Sequence, residues 1–183
     1  MASQRSSAAG AERKALLVES ALEVIAEHGA HKTTHRRIAD RANVPLGSAT
    51  YYFSSLGDIL EAAFSSYTAT MAEKYRQAIT SAQSPEDTAE ALIAFIGGSS
   101  RSDSDRRILF ELYSYAQYEP RAKQIVKTWI ATTQEALRRH CSEETAAAVD
   151  TFIEGATVRR ALDEQTLDED GLRHGLLALM NQE

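Results

Sequence analysis

Apolar positions in this chain recur at helical intervals, and no segment shows the strict apolar/polar alternation of a half-buried strand. Ala11 to His28 carries Leu17, Val18, Ala21, Leu22 and Ile25 on one face, and Gly29 supplies a C-terminal stop. Thr33 or Thr34 then caps a short helix running to about Ala42, with Ile38 and Ala39 facing inward. Asn43 and Val44 form a tight turn. Pro45 opens a second short helix to about Tyr52, because its missing N–H would be unpaired in a first turn anyway. Ser54, Ser55 and Gly57 interrupt the chain, and a long helix follows from Asp58 to about Ile79 with a stripe of Leu60, Phe64, Tyr67, Met71 and Tyr75. Ser84 caps the next helix, which starts at Pro85 and ends in Gly97, Gly98, Ser99 and Ser100. Asp103 to about Tyr118, Pro120 to about His140, a helix capped by Ser142 and one capped by Asp168 complete the pattern. The expected fold class is all-α with about nine helices.

Length and composition narrow this further. A chain of 183 residues holds one or two domains. Its 43% hydrophobic and 25% charged residues exclude a disordered polymer. No apolar run approaches the roughly 18 residues of a membrane span, and the stretch Met1 to Gly10 lacks the apolar segment of a secretory signal. The single cysteine, Cys141, cannot form an internal disulfide. These features together favour a cytoplasmic protein.

Charge is distributed unevenly. Residues 1–56 hold seven Lys or Arg against five Asp or Glu, a balance of +2, whereas residues 57–183 carry −8. Within 31–56 four basic residues face one acidic residue. A short cationic segment on an acidic body fits a DNA reader joined to a separate regulatory domain. The expected organisation is a flexible arm over 1–10, a helix-turn-helix domain over 11–56 and a second domain over 57–183. Arg5, in the arm, could reach a minor groove or lie in a solvated tail.

The two short helices carry the chemistry of a helix-turn-helix, whose second helix enters the major groove while the first crosses the backbone. His35, Arg36 and Arg37 sit in the first turns of the earlier helix, where side chains and free N–H groups can meet phosphate. Leu46, Gly47, Ser48 and Thr50 are small or apolar and suit base edges: a hydroxyl donates or accepts, and an apolar group meets a thymine methyl. Gly47 permits close backbone approach. Tyr51 and Tyr52 can bond phosphate through their hydroxyls.

The residue string is more specific than this periodicity. TTHRRIADRANVPLGSATYYFSSLGDILEAAF, Thr33 to Phe64, resembles the DNA-binding domain of the TetR family of transcriptional regulators. It has the Thr-initiated helix at Thr34, the Ile38-Ala39 pair and the Ala42 to Val44 turn. Gly47-Ser48, the Tyr51 to Phe53 end and the following Leu60 complete the pattern. Phe152 to Leu162, FIEGATVRRAL, is similar to the eighth helix of many members. The resemblance implies DNA contacts at Thr34, His35, Arg36, Leu46, Gly47, Ser48, Thr50, Tyr51 and Tyr52. Two positions depart from the pattern: Leu56 stands where the family often has a phosphate-binding lysine, and Thr50 replaces the first of two tyrosines.

The same resemblance implies a ligand pocket and a dimer in the C-terminal domain. Tyr67, Met71, Phe110, Tyr113, Trp129 and Phe152 are the pocket candidates, suited to an apolar or aromatic effector. Each would serve equally as core at its helical spacing. Phe152, Ile153, Ala156, Leu172, Leu176 and Leu179 are the dimer candidates, with a four-helix bundle between copies as one outcome and burial within one chain as the other. The expected partners are double-stranded operator DNA, a small molecule and a second copy of the chain, with no membrane and no cofactor.

Other constellations are weaker. His28, His31 and His35 have metal-like spacing, but Gly29 separates His28 from the helix that bears His35, so no metal site is expected. Adjacent His140 and Cys141 point apart on a helix and lack an orienting third group. There is no phosphate-binding Gly-rich loop and no zinc-protease helix, and the chain is not expected to be an enzyme. Asp163 to Asp170 reads as a solvated connection that caps the ninth helix. The leading expectation is a repressor released from a palindromic operator by a small molecule. An activator, a ligand-independent regulator, a helical protein-binding module or a small enzyme are the alternatives.

Overall fold

The computed structural model describes residues 2–97, 102–162 and 168–181, with side chains from residue 9 onward. The described residues form nine α-helices and one 3-10 turn, with no strand: α1 (Ala2–His28), the turn Ala30–Lys32, α2 (His35–Arg41), α3 (Leu46–Tyr52), α4 (Leu56–Thr80), α5 (Pro85–Gly97), α6 (Asp103–Tyr115), α7 (Pro120–Leu137), α8 (Glu143–Leu162) and α9 (Glu169–Met180). The all-α expectation holds.

The caps explain most boundaries. The Thr34 hydroxyl accepts the Arg37 N–H at 3.2 Å and starts α2. Ser84 accepts from Asp87 at 3.0 Å, Ser142 from Thr145 at 3.2 Å and Asp168 from Gly171 at 2.9 Å, so three polar residues open α5, α8 and α9 as their positions predict. Pro45 is the N-cap of α3 and not its first helical residue. The helix expected to start at Ala11 instead begins at Ala2, so residues 2–10 continue α1 in place of a separate arm. That stretch has no proline and several good helix formers, and nothing in it stops propagation from the amphipathic part. The side chain of Arg5, the 98–101 end of the fifth-helix segment and residues 163–167 of the expected acidic connection lie outside the described residues. α6 ends at Tyr115, short of the expected Tyr118, and a turn over 116–118 leads to α7 at Pro120.

The chain divides into two compact units whose boundary differs from the expected one. The first takes residues 1–68 and 107–126; the second takes 69–106 and 127–183. In the first, α1 packs on α2 and α2 on α3. Its core includes Leu17, Ile25, Ile38, Ala49, Ile59, Phe64 and Leu112, all fully buried. The α1–α2 connection is held from α6. Gly29 adopts φ +84, a region open to glycine, and Glu111 Oε2 accepts the Ala30 N–H at 2.7 Å.

In the second unit α9 packs on α5 and α8, and α5 also touches α8. Tyr75, Leu92, Phe95, Ile96, Leu137, Val149, Ile153, Leu176 and Met180 belong to one apolar cluster. Tyr75 and Phe95 meet edge-on at 5.2 Å. Arg160 donates to the Gly97 carbonyl at 2.8 Å, and Arg173 pairs with Glu90, which ties both C-terminal helices to α5.

Candidate nucleic-acid interface

α2 and α3 form the candidate reading head, and their buried and exposed faces separate cleanly. Ile38 and Ala39 on α2 and Ala49 on α3 are buried, as is Phe53 just beyond it. Between the helices Asn43 takes φ 53, a left-handed conformation that asparagine tolerates better than most side chains. The pair is therefore anchored from beneath by apolar contacts and turned by one residue.

The outward face of α3 presents Leu46, Gly47, Thr50 and Tyr51. Leu46 is 49% exposed and Tyr51 81% exposed, unusual for large apolar-bodied residues on a short helix. A Cβ added at Gly47 would meet nothing within 4 Å, so a partner can approach the backbone there. The Thr50 hydroxyl donates to the Gly47 carbonyl at 3.2 Å. Ser48 and Tyr52 are half-buried. The Tyr51 and Tyr52 rings stand edge-on at 5.0 Å, and the Tyr52 hydroxyl lies 3.8 Å from the position a Cβ would take at Gly10.

The arginines of α2 do different work, which the sequence does not separate. Arg37 donates to the Lys32 carbonyl at 2.9 Å and so closes the turn before its own helix. Arg41 pairs with Glu23 at 3.1 Å and with Glu27, holding α2 to α1 and keeping the Glu27 carboxyl below its ordinary range. Arg36 is exposed and makes no ion pair among the described residues. Thr34 is engaged as a cap. His35 is half-buried, with its Nε2 enclosed and without a hydrogen-bond partner among the described residues.

The α3–α4 turn is fixed by a reciprocal cap. The Asp58 N–H donates to Ser55 Oγ at 3.1 Å and the Ser55 N–H donates to Asp58 Oδ2 at 3.0 Å. Arg121 of α7 reaches this turn, donating from one nitrogen to Asp58 at 2.9 Å and to Glu61 at 3.0 Å. The Asp58 carboxyl is held below its ordinary range, chiefly by the Arg121 hydrogen bond and then by Ser55. Arg121, Asp58 and Glu61 were not candidates from sequence, because charges 60 and 63 residues apart carry no local sign of pairing.

Residues 17–63, spanning α1 to the first half of α4, match the model for bacterial regulatory proteins of the tetR family. The regulator BetI of Escherichia coli O157:H7 is 25% identical over 177 residues, covering 90% of this chain and 89% of that one. SCO7518 of Streptomyces coelicolor A3(2), a candidate transcriptional regulator, superposes with a TM-score of 0.86 at 28% identity, covering 93% of this chain and 99% of that one. Over residues 17–63 this chain is thus similar to the TetR family. The multidrug binding protein EbrR, solved with malachite green, matches at TM-score 0.77 and 25% identity, covering 92% and 98% of the two chains. Its proflavin complex matches at 0.72, also at 25% identity, covering 91% and 99%. The α2–α3 pair thus lies in the segment that matches the tetR-family model, and the chain as a whole is similar to transcriptional regulators.

The six pocket candidates fall in different units. Tyr67, Phe110 and Tyr113 belong to the first; Met71, Trp129 and Phe152 belong to the second. Tyr67, Met71 and Trp129 are buried, while Phe110, Tyr113 and Phe152 are half-buried. None of the six lines a cavity of about 290 Å³ in the first unit, whose walls are Ser55, Gly57, Glu61, Phe64, Tyr115, Glu119, Arg121 and Ala122.

Among the dimer candidates, Ile153, Ala156 and Leu176 are buried inside their own chain's core. Phe152 and Leu172 are half-buried against the same cluster, as is Leu179. A Cβ on Gly175 would come within 2.6 Å of the Phe152 ring, so α8 and α9 touch closely at this point. Ile153, Ala156 and Leu176 are thus buried within one chain. Exposed positions of α8 include Thr151, Gly155, Val158 and Leu162, the last 81% exposed, alongside Glu143, Glu144, Arg159 and Ala161.

The remaining constellations do not assemble. His28 is half-buried and His31 exposed, and no group of three or more metal-ligating side chains occurs among the described residues. The Cys141 thiol donates to the Leu137 carbonyl at 3.5 Å, and burial lowers the pKa of His140. No helix among the described residues is long and apolar enough to cross a membrane.

Proposed function

We propose that this chain is a cytoplasmic, homodimeric repressor that leaves a palindromic operator when an aromatic small molecule binds. The observation that carries the DNA reading is the outward face of α3, with Leu46 and Tyr51 exposed over a buried base, flanked by an exposed and unpaired Arg36. On this reading α3 sits in the major groove, with Leu46, Gly47, Ser48 and Thr50 toward base edges. Arg36, Tyr51 and Tyr52 meet phosphate, and Thr34 and His35 stand at the backbone crossing. Residues 11–56 are the proposed reading head, and 57–183 the effector-binding and dimerisation part.

The effector class follows from similarity to EbrR, which is solved with malachite green and with proflavin. Tyr67, Met71, Phe110, Tyr113, Trp129 and Phe152 remain proposed contributors. The dimer is proposed on α8 and α9. The apolar area comes from Val158 and Leu162, with Gly155 permitting close approach, because Ile153, Ala156 and Leu176 are already used within the chain. The ligand acts only through its differential affinity for the operator-fitting and misfitting states.

The test is selection of random duplex DNA by the purified protein, followed by affinity against salt on the selected sequence. A palindromic winner with a steep salt slope is expected. Arg36→Ala should weaken binding on all sequences and reduce the slope by about 1. Absence of any salt-dependent duplex affinity would turn the reading toward a protein-binding module or an enzyme.

A further inference from the structure

We infer that α3 reads thymine methyl groups: Leu46 and the methyl of Thr50 form an apolar strip that selects operator half-sites with thymine at the positions facing them. The inference rests on the operator-binding reading above and names what α3 recognises in that operator.

The first observation is a chemistry that α3 lacks. Bidentate reading of guanine takes Arg or Lys, and bidentate reading of adenine takes Asn or Gln. α3 runs Leu-Gly-Ser-Ala-Thr-Tyr-Tyr and holds none of the four. None occurs anywhere from Val44 to Glu73. The nearest amide, Asn43, belongs to the turn before α3, and Arg36 lies on α2, the helix that crosses the backbone.

The second observation is what stands there instead. Leu46 and Thr50 lie one turn apart on the same face and both are exposed. The buried Ala49 and Phe53 hold that face outward. Gly47 stands beside the strip, and with open space around its missing Cβ it raises no wall against an approaching base edge. The Thr50 hydroxyl donates to the Gly47 carbonyl at 3.2 Å. Its proton is thereby spent inside the helix, which leaves the methyl and the oxygen lone pairs for a partner.

These groups select among base edges. Thymine is the one base with an apolar group in the major groove, its C5 methyl. Leu46 laid over a G·C pair would cover polar atoms without pairing them, which is costly. Over thymine it buries a methyl. An oxygen that only accepts fits the N6 amino group of adenine and not the O6 and N7 acceptors of guanine. Two independent chemistries on one strip therefore favour T·A pairs.

The experiment selects duplex DNA with the full chain, then replaces each thymine of the winning half-sites by deoxyuridine, which keeps base pairing and removes only the C5 methyl. Affinity is followed by fluorescence anisotropy of the labelled duplex at low salt, so that weakened complexes are still measured. Exchange at the positions facing α3 should weaken binding about four-fold per methyl, the factor for burying one such group. Thymines elsewhere in the duplex should tolerate it. In Leu46→Ala/Thr50→Ser the same exchange should cost less than about two-fold, which separates a lost contact from an altered duplex shape. Both residues are exposed, so helical content by circular dichroism should be retained, and Leu46→Ala alone serves if the double variant binds too weakly. Winning half-sites without thymine, equal affinity with deoxyuridine throughout, or an undiminished penalty in the variant overturns the inference and leaves the operator reading standing. Failure to enrich any duplex sequence, with no salt-dependent affinity, overturns both.

Discussion

Gly29→Ala tests the link between the reading head and α6. Gly29 has φ 84 and ψ 157, a backbone region that side chains other than glycine's occupy at a cost of about 1–3 kcal/mol. The added Cβ would also lie 3.1 Å from Glu111 Oε1, so the carboxylate must move. That carboxylate accepts the Ala30 N–H at 2.7 Å, and Ala30 is buried. Leaving a buried N–H unpaired costs a further ~1–3 kcal/mol. The combined loss of about 2–6 kcal/mol is a large share of a typical domain's stability. Urea unfolding followed by circular dichroism would show it as a midpoint shift of about 1–3 M, for a slope of about 2 kcal/mol per M, and the Ala30 amide would exchange faster. The decisive control is Glu111→Ala. In that background Gly29→Ala should cost only the backbone part, so the two changes should be less than additive by about 1–2 kcal/mol. A Gly29→Ala variant within 0.5 kcal/mol of wild type, or full additivity with Glu111→Ala, would refute the reasoning.

Asp150, 6% exposed on α8, has a carboxyl that burial and then the Glu154 charge push up to about 6, against hydrogen bonds from Thr133 and Gln134. Because the folded pKa lies above the unfolded one, this group favours the native state below about pH 4 and loses that contribution as pH rises through 6. Asp150→Asn should therefore stabilise the protein at pH 7.5, by up to about 3 kcal/mol, and give little gain near pH 4; paired melts at the two values decide it. The Tyr75 hydroxyl is buried without a hydrogen-bond partner among the described residues, and burial raises its pKa strongly. Tyr75→Phe should be neutral or stabilising by about 1 kcal/mol in thermal melts, and a loss of more than that would mean the hydroxyl has a partner. Gly175→Ala should destabilise by about 1–3 kcal/mol, because the Phe152 ring stands where the methyl would go. Leu162→Asp should turn a dimer into a monomer on a sizing column while keeping helical content, if α8 carries the interface as proposed.

The sequence by itself determined the helices, most of their caps and the reading-head pattern. These signals are local: Thr34, Ser84, Ser142 and Asp168 each close a turn within a few residues, and the stripes need only the helical period. The burial of Ile38 and Ala49 under an exposed Leu46 and Tyr51 follows from the same arithmetic. The tertiary structure alone decided which charged groups are already occupied. Arg36, Arg37 and Arg41 look alike along the chain, yet two of them are held by Lys32, Glu23 and Glu27. Glu111 meets Ala30 across 81 residues and Arg121 meets Asp58 across 63, pairings that no local pattern encodes. The same holds for Ile153 and Leu176. Their helical spacing fits a core or an interface equally well, and only the packing of α5, α8 and α9 assigns them to the core. Helical period fixes which residues share a face, and the neighbouring helix fixes what that face touches.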